Sequence, residues 1–290
     1  MSQKSIHQIL PPPPPHMVGD GFRVHNFFPA GYNLNEKRMS PFFLLDYNAK
    51  IDFSPREHPR GVGVHPHRGF ETVTIAYNGR VAHQDSYGNN GIIGEGDVQW
   101  MTAGSGILHK EYHEEEYSKT GGLFQMVQLW VNLPSKYKMT EPKYQEITKD
   151  KMGVYQLPDA GGKVEVIAGS FNGIHGPAST FSPMEMWNIR LKKGAEVRFD
   201  LPENYNTGIL MIEGAATINE QTAPEDNFVL FRNEGKQIIV KANEDALLLV
   251  LSGEPIDEPI YAYGPFLMNT KKEVEQAYKD FGTGKFGQLE

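Results

Sequence analysis

The chain has 290 residues and a formal net charge of −8, with 30 glycines, 20 prolines and no cysteine. That length is enough for one large or two ordinary domains with substantial cores. The missing thiols exclude disulfides, zinc ribbons and thiol catalysis, and an acidic chain without a long Lys/Arg cluster is a poor direct binder of nucleic acid.

The first ten residues lack the apolar core of a signal peptide. The longest apolar run, Ala246–Leu251, is far too short to span a bilayer. The expectation is a cytoplasmic protein with no membrane partner. Pro11–Pro15 reads as polyproline II, so residues 1–20 are expected to form a proline-rich arm.

Strand signals begin at Phe22. Phe22–Phe28, Phe42–Asp46, Phe70–Tyr77, Arg80–Gln84, Asp97–Thr102, Ile107–Tyr112 and Leu123–Val131 are short runs rich in aromatic and β-branched residues, bounded by Gly, Pro and Asn. Asn78-Gly79 is a hairpin turn, and Gly88–Gly96 reads as a loop. Asn132–Pro142 is polar with prolines at both ends, and the domain boundary is placed there, after residue 135. The β style then resumes from Val154 to Leu251.

Glu213-Gly214 with the following residues matches Asn78-Gly79, and Asp226–Phe231 matches Asp97–Met101. This points to an internal duplication. Superposing the turns sets Ile239 and Lys241 in place of His109 and Glu111, so the second copy is expected to be metal-free. The chain ends in a helix over residues 269–282: Thr270 to Glu273 is a capping box, and Val274, Ala277, Tyr278 and Phe281 form one apolar stripe.

Two short pairs carry the chemistry. His65-Pro66-His67 and His109-Lys110-Glu111 each hold metal-capable groups two residues apart. On a strand such residues share a face, so two extended segments could meet around one ion. Imidazoles with a carboxylate suit iron, manganese, copper, nickel, cobalt or zinc. His113 competes with His109 for the third imidazole position, and Glu71 competes with Glu111 for the carboxylate. By default His7, His16, His25, His58, His83, His113 and His175 are expected to be structural. Four protein ligands would leave open positions on an octahedral ion, as a metal-dependent oxygenase needs.

The strings His65–Val73 and Gly96–Glu111, with Phe43–Asp46, Gln128–Pro134 and Tyr263–Thr270, resemble the pirin family of the cupin superfamily across nearly the whole chain. The resemblance implies an all-β bicupin: a metal-binding barrel over residues 21–135 and a degenerate barrel over 136–290 that ends in the helix. It implies His65, His67, His109 and Glu111 as ligands of one divalent ion, usually Fe(II). Glu71 then stands near the pocket outside the ligand set. It also implies an activity like that of quercetin 2,3-dioxygenases, with O2 and an aromatic substrate. Glu111 or Glu71 would accept the substrate's proton, and Phe43, Phe70, Met126 and Trp130 would form apolar walls. Two joined cupins can satisfy their packing as a monomer. The rival expectation from the same resemblance is a metal-binding regulator that acts on a protein partner without turnover, and a dioxygenase for another phenol is a third.

Overall fold

The computed structural model describes residues 2–32 and 34–290. The chain is built mainly of antiparallel strands and forms two compact units that do not follow sequence order. One comprises Pro13–Glu36, Phe42–Lys149 and Ile256–Glu290, and the other comprises residues 2–12, Lys37–Pro41 and Asp150–Pro255. Among the described residues no helix is long and apolar enough to cross a membrane.

The unit that carries the two ligand pairs has a seven-stranded and a four-stranded sheet. The larger runs in the order Lys143–Ile147, Val98–Thr102, Phe70–Asn78, Gly122–Asn132, Phe42–Phe53, Phe22–Phe28, His16–Val18. The smaller runs Gly61–His67, Ile107–His113, Val81–Asp85, Asn90–Ile93. Phe70–Asn78 is buried on both faces along almost its whole length, which is why it reads as a continuous apolar run with Thr interleaved. Alternation separates its faces. Val73 and Ile75 lie with Trp100, Val127 and Leu129 on a fully buried apolar face, whereas Thr72 and Thr74 look toward the smaller sheet.

The second unit repeats this plan. Its large sheet is Ile6–Leu10, Phe228–Phe231, Asn206–Glu213, Ala246–Gly253, Met184–Leu191, Gly162–Ala168, Gly153–Gln156, and its small sheet is Glu196–Asp200, Gln237–Ala242, Ala216–Ile218, Gln221–Ala223. Its interior is one apolar cluster built on Trp187, Phe199, Ile209, Ile218, Ile238, Val240 and Leu248. The registers correct the superposition made from the turns. Glu111 pairs with His83, and Ile218, the equivalent of His83, pairs with Val240. Val240 and Ile238 therefore replace Glu111 and His109, one residue away from Lys241 and Ile239. By the same registers Phe199 replaces His65, because it pairs with Ile238 as His65 pairs with His109.

Several expectations are revised. The stretch expected as a 1–20 arm (its first residue is outside the described ones) is divided between the units. Ile6–Leu10 pairs with Phe228–Phe231, and His16–Val18 pairs with Phe22–Phe28. An extended segment beside an open sheet edge satisfies its backbone groups by joining it. The chain crosses into the second unit between Lys149 and Asp150, not after residue 135, and it returns to the first at Ile256. Within the expected loop Gly88–Gly96, Asn90–Ile93 is an edge strand, and a short helix, Glu115–Thr120, was not anticipated.

The C-terminal helix is Lys271–Gly282, with the Thr270–Glu273 capping box formed. Its stripe is narrower than expected: Val274 and Ala277 are buried, but Tyr278 and Phe281 stay 39% and 41% exposed. Asp280 is buried in their place.

Candidate metal centre

Gly61–His67 is the outer strand of the smaller sheet and pairs antiparallel with Ile107–His113. An edge tolerates Pro66, which has no N–H to give to a further strand. His65 lies directly opposite His109, and the register shifts between His109 and Glu111 so that Glu111 meets Val62. A bulge of this kind re-aims side chains without breaking the ladder.

The imidazoles of His65, His67 and His109 converge, each offering a ligand nitrogen within 4.8 Å of the others. Their ring centroids are 4.1 to 4.8 Å apart. His65 Nδ1 lies 2.8 Å from the Gly63 carbonyl oxygen, and His67 Nδ1 lies 3.3 Å from that of Pro265. A carbonyl can only accept, so both rings carry their proton on Nδ1 and present a bare Nε2. His109 is fully buried, and among the described residues neither of its ring nitrogens has a hydrogen-bond partner.

Burial pushes all three imidazoles below the usual histidine range, so they are neutral lone-pair donors. A buried imidazole left unpaired is costly. Three of them facing one another fit a divalent transition-metal ion, and nothing in the donor set disfavours it.

Glu111 lines the same pocket as His65 and His67 but is not in the converging trio. Its Oε1 lies 3.4 Å from the Thr74 hydroxyl, and burial raises its carboxyl to about 7. Glu71 is placed elsewhere, which corrects the expectation that it stands near the pocket. It shares a strand with Thr74 but has opposite parity, and its Oε1 accepts from Thr102 at 2.7 Å. Burial raises its carboxyl to about 7 as well. His113 is also outside the trio. Its Nε2 lies 2.8 Å from the Gly21 carbonyl, and its ring packs among Phe22, Phe53 and Phe124. His83 faces Glu111 across the ladder, with Nε2 2.8 Å from the Tyr144 hydroxyl.

The pocket beside the trio has a volume of about 290 Å³. Met126 and Trp130 line it; Phe43 and Phe70 do not. Those two stand behind Trp130, with Phe70 stacked on its indole at 4.2 Å between centroids and Phe43 at 6.3 Å. The walls that sequence reasoning missed are Val18, Phe22, Val24, Leu44 and Val62, together with the polar pair Asp46 and Gln128. The parity of Gln128 with Trp130, and of Asp46 with Leu44, was the available signal.

Comparison with known proteins follows the same lines. Residues 21–131 match the family model described as Pirin, and residues 186–287 match that described as Pirin C-terminal cupin domain. A Pseudomonas aeruginosa protein provisionally named quercetin 2,3-dioxygenase is 48% identical over 93% of this chain and 94% of its own length. Pirin-like protein 2 of Arabidopsis thaliana is 40% identical over 87% of this chain and 77% of its own. The crystal structure of a quercetin 2,3-dioxygenase from Acinetobacter baumannii superposes with a TM-score of 0.94 at 46% identity, covering 100% of both chains.

Proposed function

The chain belongs to the pirin family, and from that premise we propose that it is a metal-dependent dioxygenase that opens the heterocycle of a flavonol such as quercetin with O2. The observation that carries this reading is the convergence of His65, His67 and His109 at the wall of a largely apolar pocket. The names of the similar proteins agree with it.

The three imidazoles would hold the ion, iron(II) in our reading, with Glu111 as fourth ligand. When bound, the ion supplies a Lewis acid that favours ionisation of the substrate's 3-hydroxyl. The protein's own residues do the rest. Glu111, which lines the pocket beside His65 and His67, would accept that proton. Trp130, braced by Phe70, and Met126 pack against the planar ring system and exclude water from it. Pro265 and Gly63, through their carbonyl oxygens, hold two rings in the tautomer that leaves Nε2 free.

The test is aerobic loss of the flavonol absorbance band with the iron-loaded protein, followed together with metal content. His65→Ala is expected to lose both. A variant that loses metal yet keeps the wild-type rate would sink the reading. Wild type that binds iron but consumes no flavonol would instead favour the regulatory alternative.

A further inference from the structure

Within the apolar pocket one cross-strand pair is polar. Asp46 and Gln128 are directly opposite in the ladder between Phe42–Phe53 and Gly122–Asn132, and both line the pocket. Their neighbours of the same parity, Leu44, Met126 and Trp130, are apolar walls. An apolar slot has no packing reason to hold an amide and a carboxylate face to face, since each must give up hydration there.

Their hydrogen bonding defines what each still offers. The Thr74 hydroxyl donates to Gln128 Oε1 at 2.7 Å, so the free end of that amide is its NH2 group. Asn26 Nδ2 donates to Asp46 Oδ1 at 2.7 Å, so the free end of the carboxylate is Oδ2. Among the described residues neither Gln128 Nε2 nor Asp46 Oδ2 has a hydrogen-bond partner. The pair therefore presents one donor and one acceptor side by side. A phenolic hydroxyl donates and accepts at the same time, and it fits both. A bare C–H leaves both unsatisfied, and a methoxy group leaves the acceptor unsatisfied.

The position of the pair relates to the trio through Trp130. That ring lies 5.2 Å from His67, and Gln128 is one pleat repeat further along the same strand. The Thr74 hydroxyl that donates to Gln128 also lies 3.4 Å from Glu111 Oε1, so a planar molecule that meets the trio and lies on Trp130 would bring a further ring hydroxyl to the pair. The geometry points to Asp46 and Gln128 as a subsite that selects aromatic substrates bearing a ring hydroxyl besides the metal-binding one. The inference rests on the reading that this pocket takes an aromatic ligand of the metal, and it adds which members of that class are preferred.

The test measures binding, so that it is separable from turnover. Quercetin and 3-hydroxyflavone, which keeps the metal-binding hydroxyl and lacks the other ring hydroxyls, are titrated calorimetrically into iron(II)-loaded protein under argon. Wild type is expected to prefer quercetin by about ten-fold or more, the usual cost of leaving a site's polar groups unpaired. Asp46→Leu and Gln128→Glu are each expected to bring that ratio close to one. Equal affinities in wild type overturn the subsite even if neither variant folds, and so does a preference retained in both variants. Protein that shows the preference but consumes no O2 keeps the subsite and loses the dioxygenase.

Discussion

Arg68 and Asp280 are 212 residues apart in sequence, and their guanidinium and carboxylate meet at 2.9 Å in a buried ion pair. Arg68 directly follows His67. Its Nε donates to the Ser105 carbonyl at 2.7 Å, and its guanidinium lies over the Phe286 ring at 4.7 Å. Lys285, Gln276 and Arg68 hold the Asp280 carboxyl well below the usual carboxylate range. The C-terminal segment thus fastens the turn that follows the first ligand pair. Removing one partner of a buried pair strands the other charge. Asp280→Ala is expected to cost about 3 kcal/mol in urea unfolding, and to weaken metal binding at His67, measured by competition with a chelator.

Metal loading should itself be visible as stability. An ion that binds only the folded chain stabilises it by about 2.7 kcal/mol at a hundred-fold excess over its Kd. The melting temperature is expected to rise on loading and fall again with chelator. In His109→Ala this response should disappear, because the trio is reduced to a pair.

Glu71 predicts a pH dependence that is independent of the metal. Its buried carboxyl titrates at about 7 against an ordinary value of 4.5, because burial disfavours the charged form. Below the ordinary value both states are protonated and nothing is lost. As pH rises toward 7 the unfolded chain ionises first, and stability falls by on the order of 3 kcal/mol, complete above the folded value. Glu71→Gln keeps an acceptor for Thr102 and removes the titration. Urea unfolding at about pH 5 and about pH 8 should show a smaller drop in the variant than in wild type. Equal drops would mean that Glu71 is not a buried neutral acid.

Gly106 tests the fit of the tail beneath the second ligand pair. Its φ is +133°, and a Cβ there would lie 2.4 Å from the Phe286 ring. Gly106→Ala is expected to destabilise the protein by about 2 kcal/mol. Hydrogen exchange at residues 283–290 should rise in the same variant.

The ligand pairs were legible because the strand period is short. His65 and His67 share a face on local grounds alone, and the Gly-rich approach before each pair marks an extended segment with a turn. Nearness to His67 in sequence does not place Glu71 at the pocket. The residues between them turn the chain from one sheet into the other, so parity does not carry across. The shift from Ile239 to Ile238 is the same kind of error, in which one residue of register exchanges the two faces. The roles of Ile6–Leu10, Pro265 and Asp280 depend on pairings across most of the chain, which no local pattern encodes. Asp280 in particular reads as an exposed helical residue until Arg68 is seen beneath it.

The second unit repeats the sheets of the first but sets Phe199, Ile238 and Val240 where the first has His65, His109 and Glu111. One polypeptide thus carries its own blank. The same backbone frame is present twice, once with a polar interior that an ion can complete and once with a dry interior that is complete already. Cooling, pressure or a denaturant should act on both frames, while a chelator has purchase on only one. A spectroscopic change seen on chelation at Trp130 but not at Trp187 would report the ligand set alone, with the frame's own response subtracted inside the same molecule.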